Sequence, residues 1–166
     1  MARWTTAKGT WMQLRLPKLH AVTTSDDFKS IPTFAYNCVG FAIGDVHWWD
    51  PSGVDGTAWP GDLARDDSVE TFLELFRRWG FYSCDNSSYE AGYEKLAVFG
   101  IDGLFEHVAI QVSDNLWISK LGNLEDIQHP LMPMEGSQYG NICHYLKRDL
   151  KRDGPVNRAK FLLVNA

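Results

Sequence analysis

The spacing of apolar residues changes once along this 166-residue chain, and that change limits what it can fold into. Residues 66–80, DDSVETFLELFRRWG, set Val69, Phe72, Leu73, Phe76 and Trp79 at helical spacing. Asp67 and Glu70 form a capping-box pattern, and Gly80 is placed to stop the helix. Beyond it come four short runs with β character: YEKLAVFGI (93–101), EHVAIQV (106–112), LWISKL (116–121) and NICHYLKR (141–148). The turn signals DG and SDN separate the first three, as in a meander. Helix first and antiparallel sheet after it is the α+β class, with N-terminal helices packed on a β-meander.

The remaining segments are less regular. Residues 1–33 read as an N-terminal arm, in which WMQLRLPKL (11–19) suits a strand or an extended stretch. YNCVGFAIGDV (36–46) reads as a short helix capped by Asn37, whose side-chain oxygen suits the free N–H groups of a first turn. Residues 48–62, WWDPSGVDGTAWPGD, are broken by Pro51, Gly53, Gly56, Pro60 and Gly61 and read as a loop. Residues 122–140 read as a long loop with at most a helical turn. No repeat or linker divides the chain, so 1–166 is expected to be a single domain with its core at 36–148.

Composition narrows the partners. A net charge of −5 argues against nucleic acid or an anionic membrane surface. The locally basic run LKRDLKRDGPVNRAK (146–160) reads as a solvated face. No apolar run reaches the roughly 20 residues of a membrane span, and the start carries no signal-peptide core; a cytoplasmic location is the expectation, with export by a route that needs no cleaved signal as the alternative. The three cysteines, Cys38, Cys84 and Cys143, form no CxxC pair and no cluster with histidine. Neither a zinc site nor a disulfide framework is expected. There is no P-loop and no GxGxxG, and no cofactor is expected. Oligomeric state is not legible.

Cys38 follows the expected helix cap directly. There the free N–H groups and the helix dipole favour thiolate over thiol, and thiolate is the nucleophile. Such a cysteine needs a base. Of five histidines, His107 opens the strand HVAIQV and is positioned to project from the sheet toward a helix start packed beside it. The backbone N–H of Cys38 is the natural oxyanion donor, with Tyr36 or Asn37 as side-chain candidates. Trp48 and Trp49 suit either a loop anchor or one wall of a groove.

YNCVGFA, followed much later by EKLAVFGIDGLFEHVAIQVSDNLWISKLG, resembles the papain-like amidases and peptidases of the NlpC/P60 and CHAP type. That resemblance spans roughly residues 36–121. It implies a papain-like fold, Cys38 as nucleophile, His107 as base, and a third polar residue that orients the imidazole. The third position falls twelve residues after His107, on Ser119; Gln111 and His129 are alternatives. The implied partner is a peptide or another amide-containing substrate. The chain is also similar, over most of residues 35–148, to a group of proteins of unassigned function. Their shared marks are NC, WW, WP, EK.A.F, H.A.Q and W.SKLG…DI.H. The alternative to an enzyme is an interaction module on the same fold, binding a partner through its Trp-rich loop.

Overall fold

The computed structural model describes residues 6–156, 158 and 161. In chain order the elements are α1 (Thr6–Arg15), α2 (Pro17–Val22), α3 (Cys38–Ile43), β1 (Trp48–Trp49), β2 (Thr57–Ala58) and α4 (Val69–Arg77). Then come β3 (Tyr82–Cys84), β4 (Tyr93–Ile101), β5 (Leu104–Ser113), β6 (Leu116–Lys120), β7 (Asp126–His129), β8 (Asn141–Asp149) and α5 (Leu150–Asp153). The fold is mixed α+β on a six-stranded antiparallel sheet of order β3-β8-β4-β5-β6-β7. β4 to β7 run as the expected meander, and β8 returns to pair on the far side of β4. The DG turn between β4 and β5 puts Asp102 and Gly103 at φ 50° and 80°, the left-handed pair a tight hairpin requires.

The sheet is covered on both faces. On one face Val98, Val108, Ile110 and Leu146 pack against Tyr36, Phe41, Phe72 and Phe76 from the α3 and α4 region. On the other, Phe99, Ala109, Trp117 and Ile127 pack against Met12, Leu16 and Leu19 from the N-terminal helices. Strand alternation sends neighbouring residues to opposite faces, so β4, β5, β6 and β8 serve both clusters.

Several expectations change. The N-terminal segment is helical, not extended: Met12, Leu16 and Leu19 recur at helical spacing on one buried side. Pro17 sits at the first position of α2, where its missing N–H costs nothing. The helix at 66–80 is capped by Ser68 rather than by an Asp67–Glu70 box; Ser68 Oγ accepts from Thr71 N at 3.2 Å. Leu75, rather than Leu73 or Trp79, completes its buried stripe. The expected loop 122–140 contains β7, which pairs with β6 and bridges Phe28 through Ile127. The basic run is only partly solvated: Lys151 and Arg152 are exposed, while Arg148 and Arg158 are tied into the fold. Arg148 donates to the carbonyls of Trp79, Asp153 and Gly154, and Arg158 to those of Phe41 and Ala42 at the end of α3.

One irregularity matters for the site. In β5, His107 pairs with Phe99 and Phe105 pairs with Gly100, so Glu106 is an extra, bulged residue. Phe105 lies against Phe72 on the α4 face (ring centroids 4.0 Å), while His107 lies on the other face against Phe99.

Candidate active site

α3 starts at Cys38 because Asn37 stops the chain from being helical one residue earlier. Its Oδ1 accepts from Gly40 N at 3.1 Å, closing the first turn. The same oxygen accepts from Trp49 N, and Asn37 Nδ2 donates to Trp49 O at 2.8 Å. One side chain therefore caps the helix and clips the tryptophan loop to it. The clip is tight: a Cβ on Gly40 would lie 2.3 Å from His47 O and 2.6 Å from Asp45 O. Trp49 is fixed further by Asp45, which accepts from its indole at 3.0 Å, and by the edge of Trp79.

Cys38, Asn37, Trp48, Trp49, His107 and Tyr139 line one cavity of about 200 Å³. Asp50, Asp67 and Glu106 also line it. The structure thus brings the expected cysteine, histidine and two tryptophans together. It does so across the end of the sheet, because Cys38 belongs to the α3 face and His107 to the other. No hydrogen bond joins Cys38 to His107 among the described residues.

Both groups are neutral at rest. Cys38 is 9% exposed, and burial pushes its thiol up to about 11. The N–H groups of Val108, Val39 and Cys38 itself, with the Lys120 ammonium, act in the opposite direction without prevailing. His107 is 1% exposed; burial, and then the neighbouring His129, push its imidazole down to about 3. Its ring is stacked on Tyr139 with centroids 4.1 Å apart and planes 14° apart. Its Nε2 is buried and has no hydrogen-bond partner among the described residues.

The residue expected to orient that nitrogen is engaged elsewhere. Ser119 Oγ lies 2.8 Å from His129 Nε2, and His129 Nδ1 lies 2.7 Å from Pro130 O. A carbonyl accepts only, so Nδ1 carries the proton, Nε2 accepts, and the Ser119 hydroxyl donates to it. Ser119 is fully buried on the His107 face and does not line the cavity. Gln111 donates to Ser87 O and is also occupied. Tyr36 lies outside the cavity as well; its hydroxyl donates to both oxygens of Asp126, at 3.1 and 3.0 Å.

Counting along the strand does not reveal Lys120. It alternates with Ser119 and so lies on the Cys38 face. Its ammonium donates to the carbonyls of Thr33 (2.9 Å), Gly122 (2.7 Å) and Leu124, and sits over the Tyr36 ring. Burial pushes Lys120 down to about 8, against the charges of Asp126, Cys38 and Glu125. Tyr139 has no local sequence signal either. Its loop is tied by two backbone bonds, Gly136 N to Gly140 O at 3.0 Å and Gly140 N to Gly136 O at 2.7 Å. No group of three or more His, Cys, Asp or Glu among the described residues is arranged to hold a metal ion, and no helix among them is long and apolar enough to cross a membrane.

A buried cysteine at a helix start and a buried histidine at the end of an antiparallel sheet, meeting in one aromatic-walled cavity, define the site. The chain belongs to a family described as a domain of unknown function (DUF7689), whose model matches residues 27–147. No curated protein and no solved structure matches the chain.

Proposed function

We propose that this protein is a cysteine-dependent hydrolase or transferase acting on an amide or peptide bond, built on a papain-like arrangement. The observation that carries the reading is that Cys38 and His107 face one cavity at a helix start. In the reaction, His107 takes the Cys38 thiol proton as sulfur attacks the carbonyl carbon. The backbone N–H at the start of α3 supports the oxyanion. The proton passes to the departing amine, the C–N bond breaks and a thioester forms. Water or a second amine then attacks the thioester and restores the thiol.

Because both partners are neutral at rest, His107 acts as a general base during attack, not as one half of a standing thiolate–imidazolium pair. The test is the rate of iodoacetamide alkylation of each cysteine against pH, read by peptide mass spectrometry in wild type and His107→Ala. The reading expects Cys38 reactivity that is already present on a plateau through neutral pH, because the base is unprotonated above about 3, and that is lost in His107→Ala, while Cys84 and Cys143 are unaffected.

A second reading, an interaction module without catalysis, has its own support. Among the described residues no hydrogen bond joins Cys38 to His107. Phe34, 73% exposed, lies beside Trp48 with ring centroids 6.0 Å apart, an apolar pair offered to solvent. On that reading Cys38 follows a single thiol ionisation near 11, the same in both proteins.

A further inference from the structure

The ring of Tyr139 covers the one histidine that faces the cavity. It lies nearly parallel to the His107 imidazole, 4.1 Å away, while Phe99 closes the ring from its edge at 5.6 Å. Tyr139 is itself buried and lines the cavity that Cys38 lines. Its segment has little freedom. The paired bonds between Gly136 and Gly140 close the loop, and Glu135 accepts from Ile142 N at 2.8 Å just beyond it. Gly140, at φ 77°, is pressed onto β4: a Cβ there would lie 2.1 Å from Gly100 O. Only glycine fits that contact, and the residue before it is Tyr139.

We propose that Tyr139 is a positioning residue for His107: its ring fixes the imidazole plane and shields the ring from water, so that the base stays neutral until substrate arrives. This rests on the reading of Cys38 and His107 as nucleophile and base. Nε2 of the imidazole makes no hydrogen bond among the described residues, so on that side of the ring nothing polar holds its orientation. Aromatic contact is what holds it instead, and the same contact removes the water that would stabilise imidazolium. The titratable and charged groups around the ring are His129 behind it and Cys38, Asp50, Asp67, Glu106 and Tyr139 along the cavity. Burial is the largest influence on the ring, ahead of His129, which is the effect expected of a close cover.

The experiment is the NMR titration of the His107 imidazole, through its ring nitrogens, in wild type, Tyr139→Phe, Tyr139→Leu and Tyr139→Ala. Leucine retains bulk if alanine loosens the fold. The proposal expects Tyr139→Leu and Tyr139→Ala to raise the His107 titration by at least about one unit toward the ordinary value near 6.5, with exchange between tautomers. Tyr139→Phe keeps the ring and should restore wild-type behaviour. If neither Leu nor Ala moves the titration, the ring is not the cover. If Phe moves it as far as Leu does, the hydroxyl is responsible and the proposal is overturned. The titration is independent of Cys38 reactivity, so its failure is separable from a failure of the alkylation test.

Discussion

Replacing Asp126 by asparagine probes the buried polar layer beneath Cys38. Asp126 is 5% exposed and accepts from the Tyr36 hydroxyl, and burial pushes its carboxyl from 3.8 up to about 6. The Tyr36 bond, Lys120 and Ser30 pull the other way, in that order. A carboxyl whose pKa rises on folding binds its proton more tightly in the native state. Its stabilising contribution is therefore complete below the unfolded value and is lost as pH climbs through the folded one. The shift is about two units at about 1.4 kcal/mol each, so this group gives up at most about 3 kcal/mol between about pH 4 and about pH 7. Asparagine does not titrate and keeps one acceptor for Tyr36. Lys120, pushed down only to about 8, stays charged over this range in the wild type. Loss of its counter-charge in the variant changes the offset more than the slope. The difference in unfolding free energy, wild type minus Asp126→Asn, should fall by up to about 3 kcal/mol across that window. Urea unfolding followed by tryptophan fluorescence and circular dichroism at each pH measures it, provided the m-values agree. A flat difference, or one that grows with pH, would refute the reasoning: Asp126 would then be held ionised by Lys120, and the layer would be an ion pair.

Two further outcomes bear on the site. Ser119→Ala removes the donor to His129 Nε2 inside the core and should cost about 1–3 kcal/mol in the same unfolding assay. It should leave the pH profile of Cys38 alkylation in place, and a displaced profile would put Ser119 back in the site as the orienting residue. Asp67 and Glu106 line the cavity without an ion-pair partner among the described residues, so a cationic methanethiosulfonate should label Cys38 several-fold faster than an anionic one at low salt. Asp67→Asn with Glu106→Gln should weaken the preference, and adding Asp50→Asn should erase it; equal rates in the wild type would show that the cavity wall carries no effective field.

The parts of this fold that could be read from the chain are those where local pattern and tertiary packing agree. The stripe through Val69, Phe72 and Phe76 became a buried helix face, and YEKLAVFGI became β4 with the same limits. Asn37 capped α3 as its chemistry required. Reading failed where two patterns overlapped. Residues 11–16 alternate like a strand, yet Met12 and Leu16 also stand four apart, and packing against the sheet selected the helix. β7 offers only Ile127 as a buried apolar signal, and its pairing partner lies across a turn. At the site, strand alternation puts Ser119 and Lys120 on opposite faces. It could not say which face α3 would occupy, because that depends on where the helix packs. Ser119 is reached only through the twelve-residue spacing that the resemblance implies; it bonds His129, while Lys120 beside it shares the Cys38 face.

The bulge in β5 has a further consequence for how such a cavity changes over time. Phe105 and His107 already point to opposite faces, as adjacent residues of an unbroken strand would. Glu106 between them is therefore surplus to the register: removing it would leave Phe105 over α4 and His107 over Phe99. What it contributes is a carboxylate on the cavity wall and a bend in the strand. The wall can thus gain or lose a link of chain at that point while the hydrophobic layers on either side keep their partners. The shape and charge of the cavity wall can change there by insertion and deletion, a route that point substitution of the core does not offer.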